Sequence, residues 1–119
     1  MAADAIFSKK GTDIVLLDVS RQFLLADVFV IATGTSRPHV QALAEHVEEK
    51  LGEAYGIKPL RVEGATEAEW VLMDYGDVIV HIFQPSAREY YALERLWGDA
   101  TRIRWEEPAP TESSSTSEV

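Results

Sequence analysis

The chain contains no cysteine. Disulfides, thiolate metal sites and a cysteine nucleophile are therefore excluded. It also lacks any apolar run near the roughly 18 residues of a membrane span. The opening MAADAIFSKKG lacks the basic-then-apolar pattern of a secretion signal. A cytoplasmic protein with no membrane partner is the expectation. Positive charge is scarce: eleven Lys and Arg stand against twenty Asp and Glu, a net charge of −9. Affinity for bare nucleic acid comes mainly from cations neutralising phosphates. No direct, sequence-specific nucleic-acid binding is expected. A basic protein partner fits better, because complementary fields steer association. The same acidity also keeps a chain soluble. Histidine is sparse too, at three. His39 and His46 are two helical turns apart, about 10 Å along the axis, too far to chelate one ion. His81 falls on another element, so no metal site and no cofactor are expected.

What is present suits one domain of 119 residues, 46% hydrophobic. Folding at this size hides roughly 65% of the unfolded surface, enough for a real core. Residues 1–12 read as a short helical remnant, Ala2–Phe7, broken by Gly11. Residues 13–105 read as the folded domain. Residues 106–119 (EEPAPTESSSTSEV) read as a disordered acidic tail. That tail holds four Glu and no basic residue, leaving −5 on residues 1–105.

Within the domain, Asp13–Val19 and Ala26–Thr33 are β-branched, apolar strands. Their short connection favours antiparallel pairing, since a parallel crossover needs a dozen residues or more. Ser36 is a candidate N-cap and Pro38 is tolerated in the first turn of the long helix that follows. Val40, Leu43, Ala44, Val47, Leu51 and Ala54 share its apolar face, and Gly56 ends it. Ile57–Glu63 is a short strand placed at an edge by Pro59. Residues 64–69 form a turn. Trp70–Met73 and Val78–Phe83 fold back on Tyr75-Gly76-Asp77 as a hairpin, with Gly76 supplying a positive φ. Val78–Phe83 is apolar on both faces and belongs mid-sheet; only His81 interrupts it. Ser86 and Glu89 have capping-box spacing, predicting a helix over Ala87–Trp97 with Tyr90, Leu93, Leu96 and Trp97 as its stripe. Thr101–Trp105 adds a short extended piece. The fold class is α/β (α+β): a mixed sheet of about five strands with helices packed on it.

Gly34-Thr35-Ser36 joins a strand to a helix N-terminus, where backbone N–H groups could hold a phosphate. The loop has neither a Walker lysine nor G-x-G-x-x-G, and no acidic pair follows it to hold magnesium. A nucleotide-binding or nucleotidyltransferase-like enzyme using this loop is the alternative function. His81 with Asp74, Asp77 or Ser86 lacks an identifiable activated nucleophile; no catalytic residue is assigned and the chain is not read as an enzyme. Trp70, Tyr75, Tyr90, Tyr91 and Trp97 lie close together in sequence, mixed with Asp74, Asp77, Arg88 and Arg95. Trp, Tyr and Arg dominate interface hot spots. Binding is the function these residues support.

The segments DIVLLDVS, LADVFVIATGTSRPHVQALA, VEG, EWVLMDYGDVIVHIF and REYYALERLWGDA resemble the ribosomal silencing factor family, also called iojap-related. The resemblance spans residues 13–99. It implies a small sheet protein of nucleotidyltransferase-like topology that often forms homodimers. It implies binding to the large ribosomal subunit through large-subunit ribosomal protein fourteen (uL-fourteen). That contact would block subunit joining and lower translation under nutrient limitation. Organelle relatives are linked to large-subunit assembly. Carried onto the matching positions, the implied partner-binding residues are Trp70, Leu72, Asp74, Tyr75, Asp77, His81, Arg88 and Tyr91. By the same resemblance, the helix expected before the first strand is short here, at most Met1–Lys10, and the acidic tail after Trp105 is matched to no part of the family.

Overall fold

Four largely apolar strands, two of them joined as a glycine-turned hairpin, and two short edge strands form a six-stranded sheet. The computed structural model describes residues 2–21, 23 and 25–105, so the reading of 106–119 as disordered lies outside the described residues. The strands are β1 (Thr12–Asp18), β2 (Val28–Thr33), β3 (Arg61–Glu63), β4 (Trp70–Asp74), β5 (Val78–Phe83) and β6 (Thr101–Ile103), in the spatial order β3-β4-β5-β2-β1-β6. The helices are α1 (Ala2–Ser8), α2 (Arg37–Tyr55), α3 (Pro85–Tyr91) and α4 (Leu93–Leu96). The β2–β5 pair is parallel and every other pair is antiparallel, so the sheet is mixed as expected. The sixth strand is the short extended piece after Ala100. Thr101–Ile103 pairs with Leu16–Asp18 and becomes the outer edge beyond β1.

Local signals placed α2 well. Ser36 Oγ accepts from the His39 N–H, and Gly56 closes the helix at φ +67°. Its inward residues Val40, Leu43, Ala44, Val47 and Leu51 cover one sheet face. Below them lie Val30, Ala32, Val71, Met73, Val80 and Ile82. α1 is more than a last turn: Ala2, Ala3, Ala5 and Ile6 are buried in this same core. The opposite face carries Leu17, Phe29, Ile31, Ile79 and Phe83, packed against Phe23, Ala87, Leu93 and Trp97.

The last helical segment departs from expectation. Pro85 takes the first helical position with Gln84 as N-cap, and no side chain caps the helix. Pro suits that position because its missing N–H would be unpaired there anyway. Ser86 is thus inside the helix, and the Ser86–Glu89 capping box does not form. Ala92 then adopts φ +48°, splitting the expected Ala87–Trp97 helix into α3 and a single turn, α4. The break rotates the predicted stripe apart. Leu93 stays buried, whereas Tyr90 and Leu96 are exposed at 81% and 73%.

Candidate partner-binding site

The site begins with strand alternation along β4. Val71 and Met73 point into the core beneath α2, which leaves Trp70, Leu72 and Asp74 on the opposite face. The start of β4 is set by Gly64, whose φ is +82° and whose absent Cβ would collide with the Trp70 carbonyl oxygen. No other residue fits so close to that backbone. Trp70 stacks on Phe83 with ring centroids 5.1 Å apart and leans on Tyr91 at 4.6 Å. Its indole Nε1–H donates to Nδ1 of His81 at 3.0 Å.

His81 is 4% exposed, so it is not a surface contact; the expectation that it touches a partner directly is corrected to a place inside the sheet. The Phe29 ring stands 4.6 Å from the imidazole. Accepting at Nδ1 leaves the proton of a neutral ring on Nε2, which has no partner among the described residues. Burial, which disfavours the charged ring, pushes the pKa down to about 4.

Tyr91 joins this buried stack to the surface. It is 45% exposed and meets Tyr90 edge-to-face at 5.0 Å. Trp70, Leu72, Tyr91 and Tyr90 thus form one aromatic and apolar patch beside α3. Tyr90 was among the clustered aromatics read from the sequence but not among the residues implied by resemblance. No local signal marks Ala92 as the break.

Tyr75 and Asp77 belong elsewhere. Tyr75 packs against the core under α1 and α2, on the other face of the sheet from Trp70. It borders an apolar cleft of about 450 Å³ with Leu16, Val28, Leu51, Tyr55 and Trp105. Its hydroxyl is buried without a partner among the described residues, and burial with the nearby Glu48 charge pushes its pKa up to about 12. Trp70 and Tyr75 are five residues apart, an odd number. Alternation continued one residue past β4 into the turn would separate their faces, and the structure does place them on opposite sides.

Asp74 works as a turn-former: its carboxylate accepts from the Gly76 N–H at 2.8 Å and lies 3.7 Å from Arg61. Asp77 is exposed, and its carbonyl accepts from the Asp27 and Val28 N–H groups at 2.8 and 3.1 Å. Arg88 is an internal clamp rather than an offered cation. It donates to both carboxylate oxygens of Glu94, to Thr33 Oγ1 at 2.8 Å and to the Asp13 carbonyl at 2.6 Å.

The Gly34 loop is also accounted for by packing. A Cβ at Gly34 would sit 2.9 Å from Val40 Cγ2 and 3.1 Å from Leu43 Cδ1, so glycine lets β2 run close under α2. The Gly34 N–H donates to the Phe83 carbonyl, the Thr35 N–H to His39 Nδ1 and the His39 N–H to Ser36 Oγ. Three of the donors a phosphate would use are already committed.

Fold and site together define a small mixed-sheet domain whose surface feature is an aromatic patch. The whole chain, residues 1–119, matches the family described as ribosomal silencing factor during starvation, and the chain belongs to it. It is 43% identical over 106 residues to ribosomal silencing factor RsfS of Halalkalibacterium halodurans, covering 89% of this chain and 90% of that protein. The Bacillus subtilis RsfS is 46% identical over 100 residues, 84% of each chain. A crystal structure of a Chromobacterium violaceum protein superposes with a TM-score of 0.78 at 41% identity, covering 92% of this chain and 87% of that one. A more distant relative, mouse mitochondrial assembly of ribosomal large subunit protein 1, is 28% identical over 99 residues, 82% of this chain and 43% of that protein.

Proposed function

We propose that this chain is a translational repressor that binds the large ribosomal subunit and acts sterically, without turnover. Its partner in this reading is large-subunit ribosomal protein fourteen. Occupying that protein's face blocks joining of the small subunit and lowers translation when nutrients are short, in the cytoplasm. The free protein is a homodimer in the same reading, and a part in large-subunit assembly accords with the name of the mouse relative. The observation that carries the proposal is the patch of Trp70, Leu72, Tyr91 and Tyr90, half-buried to exposed on an otherwise acidic domain. Exposed Tyr and Trp beside apolar neighbours are the usual anchors of a protein interface. A negative field around them favours a basic surface such as a ribosomal protein presents. The nucleotide alternative has no comparable support, because the donors of the Gly34 loop are already engaged.

Sedimentation of cell extract supplemented with the purified protein tests this reading. The protein should travel with free large subunits and deplete joined ribosomes. Tyr91→Ala and Tyr90→Ala should bind about thirtyfold more weakly at unchanged thermal stability, as for truncated hot spots worth about 2 kcal/mol. A wild-type protein that stays at the top of the gradient in low salt overturns the proposal.

A further inference from the structure

We infer that His81 is a positioning residue: from inside the sheet its Nδ1 holds the indole N–H of Trp70 and fixes the surface that Trp70 and Tyr91 present to a partner. The inference rests on the proposed binding role of that patch and adds the device that presets it.

His81 is a residue out of place. β5 reads Val-Ile-Val-His-Ile-Phe, and its last five residues are buried. A polar ring in such a strand is unfavourable unless it is hydrogen-bonded. Among the described residues, the one bond compensating it comes from Trp70. Register explains how the two rings meet. Trp70 pairs with Phe83 and Leu72 with His81, so Trp70 and His81 are diagonal neighbours on one sheet face, within reach of aromatic side chains.

Trp70 needs such a hold. β3 pairs only with Leu72–Asp74, so Trp70 lies beyond the end of that pairing and has a strand on one side alone. Stacking on Phe83 defines the depth of the indole, but a stacked ring can still turn in its plane. The Nε1–Nδ1 bond removes that freedom. A side chain already fixed in its bound orientation loses less entropy on association, which strengthens binding.

The surroundings of His81 keep it an acceptor. β2 offers Phe29 and Ile31, β4 offers Leu72, and Tyr91 of α3 lies on the far side of Trp70. The carboxylate in its cross-strand row is Glu63, exposed on β3 beyond Leu72. Burial accordingly keeps the ring neutral at physiological pH.

Two substitutions separate positioning from packing. His81→Leu removes the acceptor and keeps apolar bulk. His81→Asn places Oδ1 close to where Nδ1 stands. Each is compared with wild type for affinity to purified large ribosomal subunits. Proton exchange of the Trp70 indole N–H is followed in parallel by NMR, with the signal identified by its loss in Trp70→Phe. His81→Leu should bind about tenfold more weakly and exchange the indole proton faster, while His81→Asn recovers both. Wild-type affinity in His81→Leu overturns the inference. Equal weakening in both variants also overturns it, since that marks a packing role. A wild-type protein that ignores large subunits overturns the partner reading instead. In that case the indole readout still decides whether the lock exists: no difference in exchange between wild type and His81→Leu refutes it. Should His81→Leu fail to fold, His81→Phe carries the same comparison.

Discussion

Arg88 Nη2 lies 2.8 Å from Glu94 Oε2, across the left-handed Ala92 that separates α3 from α4. A second bond, Arg88 Nε to Glu94 Oε1 at 3.1 Å, makes the pair two-pronged. The same guanidinium reaches Thr33 at the end of β2 and Asp13 in β1, so one side chain ties the helix break to two strands. Arg88→Ala strands all three acceptors in a partly buried site. It should lower unfolding free energy by about 2 kcal/mol, read from urea denaturation. The Glu94 carboxyl is held below its ordinary value of 4.5 by the hydrogen bond from Arg88. Its contribution is therefore present above pH 4.5 and fades as pH falls through the lowered folded value. Glu94→Gln should remove that acid-side slope.

His81 supplies a second pH dependence. Its ordinary value of 6.5 falls to about 4 on folding because the charged ring is buried. Between those values the unfolded chain binds the extra proton, so stability rises with pH across that window. Thermal midpoints should be flat above pH 6.5 and should decline from there toward pH 4. His81→Leu should flatten the decline; an unchanged slope would show that another group causes it.

Tyr75→Phe tests the hydroxyl beside the apolar cleft, which has no partner among the described residues. Deleting a buried polar group that has no partner removes a desolvation penalty. The variant should be as stable as wild type or more stable by up to about 1 kcal/mol in chemical denaturation. A clear loss of stability would reveal a hydrogen bond to the hydroxyl. Because Tyr75 lies on the opposite face from Trp70, the variant should leave large-subunit binding unchanged.

Two glycines of similar backbone conformation should respond differently to alanine. Gly56, at φ +67°, has open space where a Cβ would go, whereas Gly64, at φ +82°, has the Trp70 carbonyl there. Gly56→Ala should cost about 1 kcal/mol, from left-handed strain alone. Gly64→Ala must also displace the start of β4, and about 2 kcal/mol or more is expected from thermal unfolding. It should weaken large-subunit binding as well, because Trp70 moves with that backbone.

Much of the scaffold was readable residue by residue. Ser36, Pro38 and Gly56 bound α2 because capping acts within a few residues of the helix end. Gly76, at φ +92°, turns the hairpin, and the doubly apolar β5 sits mid-sheet for want of a polar face. The candidate site was legible as a neighbourhood, not as a surface. Trp70, Leu72 and Tyr91 do come together, and Tyr90, read from sequence as part of the helix's apolar stripe, joins them as an exposed ring.

The amino-acid sequence by itself determined the central strands, the ends of α2, the acidic field and the family resemblance, since each depends on residues close in the chain or on totals. Tertiary structure alone decided that Thr101–Ile103 becomes a sixth strand and that Arg88 is consumed by Glu94, Thr33 and Asp13. It also decided that His81 serves the surface through Trp70. Those outcomes turn on pairings between residues distant in sequence, where an acceptor on one strand meets a donor on another only after the sheet has set their register.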